Sequence, residues 1–560
     1  MDAQSAPDAD DLLFCPLGGT GEVGLNLYLY GHAGQWMMVD CGISFADETT
    51  PGVDLLLPDV RWIAERKDSL AGIVITHAHE DHVGAVPYLW RRLGAPVYGT
   101  PFTCAVLRRK LAEHGLDGEV PVHEIPAGGQ ARVGPFDIEL ITITHSILEP
   151  SSILIRTPAG NLLHTGDWKL DPEPLVGANF DRKRLERLKD DNILALIGDS
   201  TNAMAPGHSG SEIDVRTALK DLVGSLDNRV VMTCFATNVA RLQTAAEVAI
   251  ATGRSLCLVG RSMHNMVRAA QECGYLHDLP DMVAERDLDR LPREHVLLLM
   301  TGSQGESRSA LSRTARGEHP NVVLDRGDHV IFSSRIIPGN EKAIHTLQNR
   351  LVMRGIEVLT EEDHFVHVTG HPCRDELTQM YQWVRPRIAV PMHGEPRHLL
   401  AHARLADSLQ VPHSIIPADG TMIRLAPGDA PEIVDHVPVG RMALDGTKIL
   451  PTDSGSIRER RKMGFAGVAV LTLVVDADGQ LEDDPQLSAF GLFDDGDDAP
   501  DDEAVDAALD AVEAAVQKLR PAERRRDEIV QETARLALRR YLQRATGRKP
   551  HTEVHLVRLD

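Results

Sequence analysis

The string Thr76-His77-Ala78-His79-Glu80-Asp81-His82 constrains this chain more than any other, because it sets three imidazoles and a carboxylate on one short loop just after the apolar strand expected at 72–75. Nitrogen and oxygen donors of these types suit borderline divalent ions such as Zn²⁺, and four of them on a rigid strand end can serve two neighbouring ions. A lone histidine is more often a satisfied polar residue than a ligand; the whole HxHxDH pattern reverses that reading. Further donors are needed, and they stand at the ends of later apolar runs: His145 after 136–144, and Asp167 in the stretch LLHTGDWK. Asp40, closing the run at 36–40, is placed to orient a ligand histidine rather than to hold an ion.

The rest of the chain must supply a scaffold for that loop. At 560 residues it is too long for one core, and at about 150 residues per domain it divides into roughly three or four parts. Its 42% hydrophobic and 25% charged content is that of a globular protein and excludes collagen-like and wholly disordered classes. The longest apolar run, 467–475, is strand-sized, far below the roughly 20 residues that cross a bilayer. The opening MDAQSAPDAD lacks the basic and apolar regions of a signal peptide, so a cytoplasmic protein with no membrane partner is expected. Seven scattered cysteines without a CxxC pair argue against a disulfide framework or a cysteine zinc site. The formal charge of −24 argues against a polyanionic partner only if it is spread evenly. It is not: residues 482–513 carry thirteen Asp or Glu and no Lys or Arg, leaving the remainder free to present a positive cleft.

Up to about residue 213 the pattern is one of short strands at 36–40, 72–76, 136–144, 153–156 and 160–164, with a helix over 83–93. From 214 it becomes strand, loop, helix, repeated four times, with strands at 230–233, 256–259, 296–300 and 330–333; this predicts a mostly parallel sheet. Such sheets bind ligands at the carboxyl ends of their strands, where the loops CFATN, TGSQGE and SSRIIPGNE fall. Strands resume at 365–369 and 388–391, each followed by a histidine motif. The expected organisation is 1–213 and 356–420 as two parts of one domain, 214–355 as an inserted domain, 421–460 as a linker, and 461–560 as a small C-terminal α/β domain with an acidic linker segment at 482–503. Within the last, helices are expected over 503–518 and 521–545 and a final strand over 554–559.

HxHxDH followed by a later His and Asp resembles the metallo-β-lactamase superfamily. By that resemblance His77, His79 and His145 hold one ion, Asp81, His82 and a final His the other, and Asp167 bridges both. The best final candidate is His393 in PMHGE, 226 residues beyond Asp167, so the αββα sandwich is interrupted. The insertion resembles the β-CASP domain of nucleic-acid-cutting members, with Asp199 in IGDSTNA matching its acidic motif and His371 in HVTGH its histidine motif. With SSRIIPGNE and the C-terminal module, the chain from about Leu12 to Leu559 resembles the bacterial ribonuclease J family.

The resemblance implies a two-metal ribonuclease with 5′-to-3′ exonuclease activity on single-stranded RNA, a preference for 5′-monophosphate ends and some internal cleavage, acting in mRNA decay and rRNA maturation. Two Zn²⁺ per chain are expected, with Mn²⁺ or Mg²⁺ as alternatives for activity. His371, oriented by Asp199, is the expected proton donor to the leaving oxygen, with Asp81 less favoured because metal should occupy it. Substrate contacts fall to Phe235, Ala236, Thr237 and Asn238, to Ser333 and Arg335, and to His367, Val368, Thr369, Gly370 and His371. A homodimer or homotetramer and RNA-decay or ribosome-associated partners are further expectations. Rival readings are a DNA-processing β-CASP nuclease, a small-substrate hydrolase, which would not need the insertion, and a non-catalytic scaffold of an RNA-degrading complex, which would tend to lose ligands.

Overall fold

The structure is a computed structural model that describes residues 7–493 and 501–559. It divides into two compact units, residues 1–44 with 57–441 and residues 45–56 with 442–560.

In the first unit, strands with small and apolar side chains at alternate positions build two facing sheets. One has eight strands in the order Glu432–His436, Thr421–Ala426, Leu12–Gly18, Leu27–His32, Gln35–Val39, Leu70–Val74, Val97–Gly99, Val122–Glu124. The other has seven, from His413–Ser414 through Ile388–Met392, Ile193–Asp199, Gly160–His164, Ser151–Thr157 and Phe136–Thr142 to Gln130–Val133. Period-two positions Leu12 and Phe14, Tyr28 and Tyr30, and Met37 and Val39 face Ile138, Leu140, Ile153 and Ile155 across the interior, all fully buried or nearly so. Each such side chain contributes roughly 1.5–3 kcal/mol by leaving water.

The sandwich closes only after a detour. Ile193–Asp199 pairs in parallel with Ile388–Met392, Asp199 opposite Met392, so the chain leaves and re-enters the sheet on adjacent strands. Between them lies an all-parallel sheet of five strands, ordered Ser255–Val259, Val296–Met300, Val230–Thr233, His329–Phe332, Glu357–Leu359. These strands are continuous apolar runs because helices cover both faces: Glu212–Gly224, Val239–Ala251 and Arg261–Glu272 on one side, Ala310–Ala315 and Glu341–Met353 on the other.

In the second unit, Val468–Val475 pairs antiparallel with Gln486–Phe490 and in parallel with His551–Arg558. Its alternate residues Ala469, Leu471 and Leu473 are buried against Ala508, Val512 and Val516 of the helix Asp501–Gln517 and Val530, Ala534, Leu538 and Leu542 of Asp527–Thr546. The strand buries every second residue and each helix every fourth, which is why both periods are visible in the sequence.

Three expectations need correction. Residues 421–460 are not a linker: they contain Thr421–Ala426, which pairs with Leu12–Gly18, and the strands Glu432–His436, Arg441–Asp445 and Lys448–Pro451. Their Pro and Gly content marks the tight turns between short strands. Residues 365–369 form no strand; Val366 is held by side-chain donors instead of a ladder. The acidic segment 482–503 includes the paired strand Gln486–Phe490, and its residues 494–500 lie outside the described residues. Among the described residues no helix is long and apolar enough to cross a membrane.

Candidate metal centre and nucleic-acid site

The site forms where strand ends of both sheets meet. Gln35–Val39 runs parallel to Leu70–Val74 with Val39 opposite Val74, so Asp40 and the 76–82 loop emerge side by side. On the facing sheet Gly160–His164 runs parallel to Ile193–Asp199, with His164 opposite Ile197, delivering Asp167 beside Asp199. Gly42 permits the close approach of the loops: a Cβ there would lie 1.6 Å from the Asp81 carbonyl oxygen.

Asp40 is buried, with a left-handed backbone at φ 61°. One of its oxygens, Oδ1, accepts the Thr76 N–H at 2.8 Å, while Oδ2 lies 2.7 Å from His82 Nδ1. That contact turns the Nε2 of His82 toward Asp167 Oδ2, 3.1 Å away. The Thr76 hydroxyl, 3.0 Å from His77 Nδ1, likewise leaves His77 Nε2 facing inward. On the facing sheet His145 Nδ1 donates at 2.5 Å to the carbonyl of Gly370, which lies on the returning chain. His393, at φ 50°, has Nδ1 2.8 Å from Asn26 Oδ1 and Nε2 3.4 Å from Asp167 Oδ2.

The donor atoms fall into groups within which all lie inside 4.8 Å: His77, His79, His145 and Asp167; Asp81, His82, Asp167 and His393; and Asp167, Asp199, His371 and His393. Asp167 belongs to all three. Its Oδ1 is buried and without a hydrogen-bond partner, an orphaned acceptor that a cation would satisfy. The chemistry of the donors fits as well. Burial, with the crowding of neighbouring imidazoles, holds His77 and His145 well below the ordinary histidine range. His79 is brought down to about 4 by burial, against the pull of Asp81 and Asp167. Such rings are neutral at pH 7, the form that binds a metal. Burial disfavours an ionised Asp167, but His393, His82 and His371 overcome it and keep the carboxyl well below its usual range.

His371 sits apart from the first two groups. Its Nδ1 lies 2.7 Å from Asp199 Oδ2 and 3.9 Å from Asp167 Oδ2. Burial pulls this imidazole down, yet Asp199 and Asp167 prevail and push it up to about 9. Gly370 is needed beside it, since a Cβ there would lie 2.7 Å from His145 Cε1.

The expected substrate residues fall in loops after two strands of the parallel sheet and in the 367–371 segment. Phe235, Ala236 and Thr237 are partly buried after Val230–Thr233, and Asn238 Oδ1 accepts the Arg241 N–H at 2.9 Å, capping the next helix. Ser333 is buried and its hydroxyl donates to the Val366 carbonyl at 2.8 Å. Arg335 reaches Asn202, which in turn donates to Thr369 Oγ1 at 2.7 Å and to the His371 carbonyl at 3.3 Å. His367 is partly buried with Nδ1 unpartnered, and Val368 is buried. Sequence reasoning missed Asn26, whose amide donates to the Asp81 carbonyl at 3.0 Å and Oδ2 at 3.2 Å while its oxygen faces His393. An isolated Asn before a strand carries no signal of that role.

An αββα sandwich with a buried His/Asp cluster at its strand ends, interrupted by a parallel-sheet domain, defines a metal-dependent hydrolase of the metallo-β-lactamase superfamily with a β-CASP insertion. Models of the metallo-β-lactamase superfamily match residues 20–232, of the ribonuclease J β-CASP domain 227–351, of the Zn-dependent metallo-hydrolase RNA specificity domain 355–417, and of the ribonuclease J C-terminal domain 455–559. The chain is 43% identical over 557 residues to ribonuclease J of Sinorhizobium meliloti, covering 98% of each chain. It is 39% identical over 513 residues to ribonuclease J of Mycobacterium tuberculosis, covering 90% of this chain and 89% of that one. A solved protein of unknown function from Enterococcus faecalis shares the fold, with a TM-score of 0.51 at 16% identity over 74% of this chain and 100% of that one. The chain belongs to the ribonuclease J family, and it is a metal-dependent, RNA-binding ribonuclease.

Proposed function

We propose that the protein is a 5′-to-3′ exoribonuclease that prefers 5′-monophosphate ends, also cuts internally, and serves mRNA decay and rRNA maturation in the cytoplasm. In this reading His77, His79 and His145 hold one Zn²⁺, Asp81, His82 and His393 a second, and Asp167 serves both, with Mn²⁺ or Mg²⁺ as possible substitutes. Bound divalent cations supply Lewis-acid stabilisation of the phosphoryl oxygens and acidify water toward neutral pH.

The chain's own groups do the rest. His371, carrying a proton at neutral pH, donates it to the leaving 3′ oxygen, and the carboxylate of Asp199 holds the ring by Nδ1 so that Nε2 faces the scissile bond. Asp40, Thr76 and Asn26 fix which nitrogen His82, His77 and His393 present. The polar groups of residues 367–371, with Arg335, meet the terminal phosphate, which carries more charge than an internal diester and so rewards such donors more.

The observation that carries the reading is the bond from His145 Nδ1 to the Gly370 carbonyl, which ties the loop bearing the proton donor directly to the metal cluster. A loop fixed in that way places an RNA end at a set distance from the cut. Matched RNAs with 5′-monophosphate or 5′-triphosphate ends test it: the monophosphate should be degraded at least tenfold faster, and equal rates would remove the end-recognition reading. Assembly as a homodimer or homotetramer, and partners among RNA-decay or ribosome-associated proteins, belong to the same proposal.

A further inference from the structure

Arg241, on the helix Val239–Ala251 of the parallel-sheet domain, is fully buried, and its guanidinium is saturated by partners from three separate segments. Its Nε and Nη2 donate to the Glu212 carboxylate, at 3.3 Å from Nε to Oε2 and 2.9 Å from Nη2 to Oε2. The remaining Nη1 donates to the Val366 carbonyl at 2.9 Å, to the Ser333 carbonyl at 2.9 Å, and to the Ser333 hydroxyl. Ser333 in turn donates to Val366. One side chain thus holds the residue before His367 and the residue two before Arg335, the starting points of two loops that the proposed function assigns to the RNA end.

The network continues to the metal cluster by two routes. Glu212 is buried, and its N–H donates to Asp171 Oδ2 at 3.1 Å; the Asp171 N–H donates to the Thr144 hydroxyl at 3.0 Å, next to His145. From the other side, the loop that begins at Val366 ends in Gly370, whose carbonyl accepts from His145. The result is a closed ring of buried polar contacts that joins the inserted domain to one ligand histidine.

A buried ion pair is a poor way to stabilise a fold, since the desolvation of two charges offsets most of their attraction and apolar residues of the same volume do as well. What such a pair provides is direction: three Nη1 contacts converge on one point, which no apolar side chain can imitate. We infer that the Arg241–Glu212 pair is the positioning device for 5′-end recognition, setting the Ser333–Arg335 and 367–371 loops in register with the metal cluster. Neither residue touches substrate in this account; both act through Ser333, Val366 and the loops that follow. The inference rests on the end-recognition reading above.

Its test uses the full-length, metal-loaded protein and reads the ratio of kcat/KM on 5′-monophosphate RNA to that on 5′-triphosphate RNA of the same sequence. A residue that only holds up the fold would lower both rates together and leave the ratio alone. Arg241→Lys and Glu212→Gln should each shrink the ratio at least fivefold, mainly through KM on the monophosphate substrate. Where a single variant unfolds, the double variant Arg241→Met with Glu212→Leu removes both charges and fills the space; it should fold by circular dichroism and still lose the preference. A wild-type ratio near one would overturn the end-recognition reading and this inference with it. A large wild-type ratio that the folded variants retain would overturn this inference alone.

Discussion

The two sides of the metal cluster are built by different means. On one side His77, His79, Asp81 and His82 come from six consecutive residues, and one buried carboxylate, Asp40, with the neighbouring Thr76, orients that loop. On the other side His145, His371 and His393 come from three distant segments, and each ring leans on a different partner: the Gly370 carbonyl, Asp199 and Asn26. The contiguous side needs one strand end and the neighbouring groups Asp40 and Asn26, whose amide holds Asp81. The assembled side needs two sheets and an inserted domain to close around it, so its geometry depends on contacts far from the chemistry.

Experiments can press on that contrast. The largest effect belongs to Asp167, which both sides share: Asp167→Ala should bring cleavage below about one part in a thousand, consistent with loss of several kcal/mol of electrostatic stabilisation, with metal content measured on the same sample. Equal loss from His77→Ala and His393→Ala would say that the His77, His79 and His145 group and the Asp81, His82 and His393 group matter equally. Next come the proton donor and its holder. His371→Ala should lower kcat about 10²- to 10⁴-fold, the range of general acid catalysis. In the proposed role His371 acts protonated, and Asp199 and Asp167 push it up to about 9, so the rate should hold through neutral pH and fall as pH rises past that point. In Asp199→Asn the support for the charged ring is removed, and the alkaline fall in a pH–rate profile should begin at lower pH. A fall at unchanged pH would take Asp199 out of that role. Smaller still are the orienting residues. Asp40→Asn on the contiguous side and Asn26→Ala, which touches both Asp81 and His393, should each weaken metal affinity or activity about 10- to 100-fold, as equilibrium dialysis against a competing chelator would measure. If the contrast holds, Asn26→Ala releases metal from the Asp81, His82 and His393 group while leaving the other group occupied.

What the sequence discloses follows the same division. The 76–82 string, the apolar strands and the four strand–loop–helix units are local patterns, and periods of two and 3.6 are legible wherever one face is buried. His393 and His371 are legible only through motifs, because nothing local ties residue 393 to residue 167. Asn26 is not legible at all: its contacts come from Asp81 and His393 approaching it from two directions, a property of the closed fold. Thr421–Ala426 looks like linker because Pro and Gly crowd around it, although it pairs with Leu12–Gly18 and extends the eight-stranded sheet. Val366 has the pattern of a strand residue, while its carbonyl is held by Arg241 and Ser333, and no periodicity announces a contact of that kind.

In the proposed mechanism a shared pair of cations acts on RNA. The direct measurement is to strip the protein with a chelator and titrate Zn²⁺ or Mn²⁺ back while following digestion of end-labelled 5′-monophosphate RNA. Two equivalents bound per chain, with activity rising only as the second is taken up and mononucleotides released from the 5′ end, is the predicted result. Full cleavage in the chelated protein, or saturation of activity at a single equivalent, would contradict it.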